Sequence, residues 1–241
     1  MAENTSEQFS IQRYARIGGI IYLVIIVAGF FGEILVRNKL VISGDAIATA
    51  NNIMLSPMLW RIGIAGDLIM QICDLPLIFI LYTLLKPVNR NLALLNLLFN
   101  VIQTAVLVAN KLNLLMPLFL LGNAEYLKAF DPEQLYALSY VFIKLHGYGF
   151  GVGLIFFGFV CLIEGHLISK SGFMPPVLGR MLQVAGICYL TNSFALILFP
   201  DLANILLMLP CLLAELSLAL WLTIKGVDGI KWQQLRDAKA R

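Results

Sequence analysis

Two aspartates and a glutamine lie on one side of a long apolar segment near residue 70. Asp67, Gln71 and Asp74 are spaced i, i+4 and i+7, so in a helix they share one stripe, with the two carboxylates about 10 Å apart. An ionisable side chain at membrane depth is costly and normally faces the protein interior or a cavity. The stripe predicts either carboxylates that lock helices together through hydrogen bonds or a polar cavity wall that binds a cation, a proton or an amine.

A second polar stripe runs along the next apolar segment for about 21 Å. It consists of four amides at helical spacing: Asn96, Asn100, Gln103 and Asn110. Because amides also join membrane helices without any ligand, the last three either bond neighbouring helices or line the cavity. Lys111 flanks the stripe. This lysine is either an ion-pair partner of Asp67 or Asp74 or a group that binds an anion.

His146 stands among glycines in the stretch "KLHGYGFGVGLIFFGF", residues 144–159. At about 100° per residue, Gly149 and Gly153 share its face and leave space beneath the imidazole. Whether another helix or a ligand fills that space stays open. His146 either faces the cavity or bonds a backbone carbonyl. A phosphate-binding loop is excluded, because no strand precedes the glycines and no Lys-Ser or Lys-Thr pair follows them.

The neighbouring face of the same segment carries a groove of small residues. Its members are Gly147, Gly151, Gly158 and Gly165. The spacing of Gly147 and Gly151 forms a GxxxG motif, which allows helices in membranes to approach closely. A partner helix or a second copy of the chain could therefore pack in this groove and give a homo-oligomer.

Four further polar residues are secondary candidates for the cavity. Glu33 belongs to the first apolar segment, with Arg37 one turn later as an expected i, i+4 partner. Ser193, Asn204 and Glu215 belong to the last two segments.

The composition shows what kind of protein positions these side chains. The 241 residues are 60% hydrophobic and only 13% charged, with a mean hydropathy of +0.86, which is outside the range of soluble domains. Six segments are long enough to cross a bilayer as helices, and they do not alternate as barrel strands would. They are residues 17–35, 59–85, 92–121, 140–168, 177–199 and 202–224. The sequence predicts an all-α, multi-pass membrane protein with six transmembrane helices.

The basic residues predict that both termini are cytoplasmic. Eleven lie on the side of the termini: Arg13, Arg16, Lys86, Arg90, Lys170, Arg180, Lys225, Lys231, Arg236, Lys239 and Arg241. Five lie on the opposite side: Arg37, Lys39, Arg61, Lys128 and Lys144. Residues 1–241 then form one membrane domain, with a cytoplasmic segment 1–16, the bundle 17–224 and a basic tail 225–241. The polar cavity opens outward.

Two connections on the outer side are long enough to hold short helices. The first could begin at Ser43 or Asp45, and the second at Asp131 before Pro132.

The net charge of +3 and the positions of the cysteines argue against a nucleic-acid-binding protein and against a metal site. The basic tail is an ordinary juxtamembrane segment that favours anionic lipid, so we expect the bilayer and no nucleic acid as a partner. Cys73, Cys161, Cys188 and Cys211 lie inside the apolar segments without metal-ligand spacing. We expect no metal and no cofactor.

Four stretches carry a resemblance to a known family. They are "AGDLIMQICD" (65–74), "LLKPVNRNLALL" (84–95), "LHGYGFGVGLIFFGF" (145–159) and "SGFMPPVLG" (171–179). Together they resemble a bacterial membrane family catalogued as domain of unknown function 4386, over nearly the whole chain. The resemblance implies a prokaryotic multi-pass protein of the inner membrane and no activity.

Three function classes stay open. In the first, the chain binds or transports a small polar or cationic ligand in the outward cavity. In the second, it is an intramembrane enzyme for a lipid-like substrate, with His146 and Asp67 or Asp74 as general base or metal ligands and Ser193 as nucleophile. A catalytic zinc normally has three protein ligands, often two or three histidines, and only one histidine lies in the outer half. In the third, it is a scaffold or accessory subunit that packs through the glycine groove.

Overall fold

The computed structural model describes residues 2–240, and the side chains of residues 10–239 except residue 205. The described residues are mostly helical and contain no strand. We number its longer helices α1 (Ala2–Phe30), α2 (Ala46–Leu55), α3 (Pro57–Leu85), α4 (Arg90–Asn110), α5 (Leu112–Leu120), α6 (Pro132–Ser171), α7 (Pro176–Leu198), α8 (Met208–Ile224) and α9 (Gly229–Ala240).

Five helical stretches are long and apolar enough to cross a membrane: Ser10–Leu40, Pro57–Leu85, Arg90–Leu120, Pro132–Ser171 and Pro176–Leu198. A sixth span is obtained if α8 is counted together with α9, from which it is bent by 98°. Alone, α8 has 17 residues, the lower limit for crossing a hydrocarbon core of about 30 Å. The prediction of an all-α, multi-pass membrane protein is confirmed, with five or six spans.

Two spans depart from regular α-helix at positions that bear cations. After α1 the chain continues as a π-helix, Phe31–Arg37, and a short turn, Asn38–Leu40. Between α4 and α5 the helix tightens at Lys111, where the Lys111 N–H bonds the Val108 carbonyl and the Leu114 N–H bonds the Lys111 carbonyl. Such π and 3₁₀ insertions inside helices are often found at functional sites.

The connections differ from the prediction in one place. Asp45 caps α2 as expected, since its Oδ1 accepts from the Ala48 N–H at 2.8 Å. The prediction of a separate short helix that begins at Asp131 before Pro132 is wrong, because α6 runs without a break from Pro132 to Ser171. Proline at a first helical position costs no hydrogen bond, and the next residues are good helix formers.

The basic tail is also more ordered than an ordinary juxtamembrane segment. It forms α9, and the Trp232 indole N–H donates to the Leu84 carbonyl at 2.9 Å. The bond satisfies a carbonyl at the C-terminal end of α3 that has no helical partner.

The chain divides into two compact units. Unit 1 comprises Met1–Val24, Cys73–Thr104 and Gly151–Arg241; unit 2 comprises Ile25–Ile72 and Ala105–Phe150.

In unit 1, glycines bring α6 and α7 into close contact. A Cβ on Gly158 would lie 3.1 Å from the Gly186 carbonyl, and one on Gly165 would lie 3.0 Å from the Gln183 nitrogen. The predicted small-residue groove is therefore occupied by α7 of the same chain. Gly147 is not part of it, since a Cβ there would meet no atom within 4 Å. The glycines that contact α7 are Gly151, Gly158 and Gly165, so their spacing is seven residues and not the four residues of a GxxxG motif.

In unit 2, an apolar core supports the polar residues described below. Trp60 is buried in this core, and the other buried members are Val36, Leu40, Ile53, Ile64 and Leu114. The Trp60 indole N–H donates to the Leu114 carbonyl at 2.8 Å. This bond ties α3 to the first turn of α5, directly after the irregular turn at Lys111.

Candidate functional site

Asp67 is the centre of a buried ion cluster in unit 2. Its Oδ2 atom accepts from Arg37 Nη1 at 2.6 Å and from Lys111 Nζ at 2.9 Å. The Asp67 side chain is 1% exposed, that of Lys111 is 3% exposed and that of Arg37 is 12% exposed. A single carboxylate oxygen thus holds two cations from two different spans.

Arg37 also binds Glu33, its partner one turn earlier. The Arg37 Nε–H donates to Glu33 Oε2 at 2.6 Å, which confirms the expected i, i+4 pair. The two acids differ in environment, because the Glu33 side chain is 57% exposed and that of Asp67 is buried. Both Glu33 and Arg37 lie on the π-helix, which carries the guanidinium between the two carboxylates.

Gly32 leaves the space in which Asp67 and Arg37 meet. A Cβ at Gly32 would lie well inside 3.0 Å of Asp67 Oδ1, and 3.2 and 3.3 Å from the two terminal nitrogens of Arg37. Any larger residue would displace the carboxylate or the guanidinium.

Lys111 joins His146 to the cluster. Lys111 Nζ lies 3.3 Å from His146 Nε2. An ammonium group only donates hydrogen bonds, so Nε2 is the acceptor and the imidazole proton is assigned to Nδ1. The imidazole is then neutral, and it stacks on Phe150 with ring centroids 6.5 Å apart.

Asn110 fills the space at Gly149, one of the two glycines that share the His146 face. Its Nδ2 donates to the His146 carbonyl at 2.8 Å, and its Oδ1 accepts from Asn113. A Cβ on Gly149 would lie 2.6 Å from Asn110 Cγ. At Gly149 the end of α4, and not a ligand, occupies the space beside the histidine.

The charges of the cluster leave its buried part positive. Arg37 and Lys111 carry two positive charges, Asp67 carries one negative charge, and His146 is neutral in the assigned tautomer. Glu33 supplies the second negative charge from an exposed position. Arg37 and Lys111 thus bring two positive charges to Asp67 Oδ2, where two donors suited to an acidic group converge.

The remaining predicted residue of unit 2 is Gln71, one turn from Asp67 on α3. Its side chain is 3% exposed, and its Oε1 has no hydrogen-bond partner among the described residues. The predicted residues Asp67, Gln71, Asn110, Lys111 and His146 therefore all belong to unit 2, together with Glu33.

The other predicted residues belong to unit 1. Asp74 accepts a short hydrogen bond from the Thr104 hydroxyl, and Gln103 Oε1 lies 3.4 Å from the same hydroxyl oxygen. The Oδ1 atom of buried Asn100 and the hydroxyl of buried Ser193 have no hydrogen-bond partner in the described part of the chain. Asn204 is exposed, and its N–H donates to Asn192 Oδ1.

The last predicted residue, Glu215, lies between two tyrosines of unit 1. Its carboxylate accepts a hydrogen bond from Tyr22 at 3.1 Å and a shorter one from Tyr189. The predicted cavity that would hold Asp67 and Asp74 together stays a prediction.

Sequence reasoning missed two residues of interest. Arg37 was predicted to pair with Glu33 and not with Asp67. Its ion pair with Asp67 depends on the π-helix and on contact between two spans, which the sequence does not show. Glu164 of α6 was overlooked, although it is an acid inside an apolar segment and is 5% exposed. The sequence contained that signal, since an intramembrane acid marks a candidate site wherever it occurs.

Comparison with known proteins places this architecture in a family. The family model described as domain of unknown function (DUF4386) matches residues 17–226. The chain belongs to the DUF4386 family. It is also 28% identical over 163 residues to an uncharacterized protein of Archaeoglobus fulgidus, an alignment that covers 68% of this chain and 83% of that protein. No solved structure is significantly similar to the chain.

These findings confirm the resemblance seen in the sequence and extend it to an archaeal relative. The match covers the spans that carry Asp67, Lys111 and His146. Neither the family nor the archaeal protein has an assigned function, so a functional proposal has to rest on the geometry of the site.

Proposed function

We propose that this DUF4386 protein binds a small polar ligand with an acidic group, a carboxylate or a phosphate, at Arg37 and Lys111, and that it transports this ligand or senses it. The observation that carries the proposal is the convergence of two buried cations on one oxygen of Asp67. The side-chain nitrogens of Arg37 and Lys111 are thereby kept away from water and held in place, as hydrogen-bond donors to an anion need to be.

A cationic ligand at Asp67 fits the geometry less well. Oδ2 already accepts from two cations, and Oδ1 faces the second terminal nitrogen of Arg37 at 3.4 Å. An incoming cation would have to displace Arg37 or Lys111 and leave a buried positive charge without a partner, which costs several kcal/mol. We keep the hypothesis of a small polar ligand, but propose that the ligand carries the acidic group and that the site supplies the cations.

Gln71 gives the ligand a second point of attachment. Its buried Oε1 can accept a hydrogen bond and has none among the described residues. A buried acceptor without a partner costs about 1–3 kcal/mol, which a donor on the ligand would recover. The ligand class is thus a small molecule with one acidic group and one hydroxyl or amino group, such as a hydroxy acid or an amino acid.

The enzyme alternative lacks support at its nucleophile. A serine nucleophile needs a base within hydrogen-bond reach, and the Ser193 hydroxyl has no partner in the part of the chain that the structure describes. The scaffold alternative loses its proposed docking groove, because α7 of the same chain occupies it.

The test is a binding titration of the purified protein in lipid nanodiscs. Lactate, serine and inorganic phosphate are titrated by calorimetry against wild type, Lys111→Gln and a matched control, Lys128→Gln. Succinate, a diacid without a hydroxyl or amino group, is titrated for comparison. Lys128 is 72% exposed and pairs with Glu125 at the surface. We expect saturable binding of at least one anion, lost in Lys111→Gln and kept in Lys128→Gln. Equal binding to both variants, or no binding to wild type, would refute the proposal.

A further inference from the structure

Unit 1 contains three acids within its apolar helices that form no ion pair with any described residue. Asp74, Glu164 and Glu215 form no ion pair among the described residues, whereas both acids of the unit 2 cluster are paired. An ionised carboxylate in an apolar interior is costly without a counter-charge. Each of the three therefore needs strong hydrogen-bond donors, a proton or a cation.

Glu164 is the least satisfied of the three. Asp74 has the Thr104 hydroxyl, and Glu215 has two tyrosine hydroxyls. Glu164 has one long hydrogen bond, from Asn96 Nδ2 to its Oε2 at 3.5 Å. A carboxylate can accept about four hydrogen bonds, so most of the capacity of Glu164 is unused although the residue is 5% exposed.

Two amide oxygens without partners accompany Glu164. Asn96 Oδ1 and Asn100 Oδ1 are buried and accept no hydrogen bond from the described residues. Asn96 is the residue that contacts Glu164, and its Oδ1 is bonded to the same Cγ as the donating nitrogen. Asn100 follows one helical turn later on the same face of α4, about 6 Å along the axis. Both asparagines are more than nine-tenths buried.

Aromatic contacts hold α4 against α6 next to these oxygens. Phe99 stacks on Phe159 with ring centroids 5.3 Å apart and contacts Phe156 at 6.4 Å. These ring contacts fix the separation of the two helices. A site at Glu164, Asn96 and Asn100 is shielded from bulk water because all three side chains are buried.

We propose that Glu164, with the amide oxygens of Asn96 and Asn100, binds a monovalent hard cation, Na⁺. One carboxylate supplies one negative charge, which matches a monovalent ion, and the uncharged amide oxygens replace part of its water shell. Oxygen ligands select hard cations. Calcium takes six to eight oxygens, commonly from several carboxylates, and the described residues contain no group of three or more His, Cys, Asp or Glu side chains that could hold a metal ion.

The test measures whether Na⁺ stabilises the folded protein. Thermal unfolding in nanodiscs is followed in NaCl and in choline chloride at equal ionic strength. A ligand at 100 times its Kd multiplies the folded-to-unfolded ratio by about 100, so the melting temperature should rise with NaCl and stay constant in choline chloride. Equal curves in the two salts would overturn the proposal.

The variants identify the ligands. Glu164→Gln and Asn100→Leu should abolish or weaken the Na⁺-dependent rise. The matched control is Glu215→Gln, another acid of unit 1. One tyrosine hydroxyl can still donate to the glutamine oxygen and the other can accept from its NH2 group, so this variant should keep the rise. A rise that persists in Glu164→Gln would place Na⁺ elsewhere and refute the assignment. If Glu164→Gln does not fold, ²²Na⁺ binding to wild type and Asn100→Leu decides, and absence of saturable binding to wild type refutes the proposal.

This inference is independent of the anion proposed for unit 2. Lys111→Gln should keep the Na⁺-dependent stabilisation, and Glu164→Gln should keep anion binding at saturating NaCl. The two proposals can therefore fail separately.

Discussion

Gly32→Ala tests whether the ion cluster depends on the space that this glycine leaves. The added Cβ would overlap Asp67 Oδ1 and lie 3.2 Å from the nearest Arg37 nitrogen. To reach an ordinary contact of 3.4 Å or more, the carboxylate must move by about 1 Å, which lengthens its bond to Arg37. Overpacking of this kind costs about 1–3 kcal/mol. The higher helix propensity of alanine returns at most about 1 kcal/mol.

The matched control is Gly66→Ala in the same unit. A Cβ at Gly66 would lie 3.5 Å from Phe31 Cδ1, an ordinary contact, so this variant should be neutral or more stable by up to about 1 kcal/mol. We expect the free energies of unfolding of the two variants, measured by SDS titration from mixed micelles, to differ by about 2 kcal/mol. Gly32→Ala should also weaken anion binding. Equal stability of the two variants would show that the cluster tolerates the displacement and that our account of Gly32 is wrong.

Two further predictions concern the support of the cluster. Gly149→Ala should displace Asn110 and destabilise the protein by about 1–3 kcal/mol, while Gly147→Ala, which meets no atom within 4 Å, should not; the same SDS titration checks both, and equal effects would contradict the proposed packing. Trp60→Phe removes the indole donor from the buried Leu114 carbonyl, so we expect a loss of about 1–3 kcal/mol and faster amide hydrogen exchange in α5; unchanged exchange there would contradict the role of this bond.

The sequence predicted the kind of fold and much of the site for identifiable reasons. Apolar segments of about 20 residues have few alternatives to a membrane helix, so the prediction of an all-α fold had a firm physical basis. The stripe of Asp67 and Gln71 and the flanking position of Lys111 indicated polar groups that meet inside the protein. Of the two interpretations of Lys111, the ion pair with Asp67 is the one seen in the structure, and it leaves the anion-binding role open.

Other features depend on contacts that one sequence does not reveal. The π-helix that turns Arg37 toward Asp67 has no proline to mark it, and Gly32 alone does not predict it. The glycines of α6 showed that helices come close, but not that Asn110 would fill the space at Gly149 and α7 the groove at Gly158. Boundaries failed where a helix continued past a possible cap, as at Pro132.

The affinity of Glu33→Gln for an anion tests the central claim most directly, because damage to the fold cannot produce tighter binding. If the exposed Glu33 carboxylate competes with the ligand for Arg37, its removal should lower the Kd of a bound anion. An exposed ion pair is worth up to about 1 kcal/mol, which corresponds to a decrease of up to about fivefold. The control Glu125→Gln removes a surface acid that is 85% exposed and should leave the Kd unchanged. A Kd that is unchanged or higher in Glu33→Gln would contradict an anion site at Arg37 and Lys111.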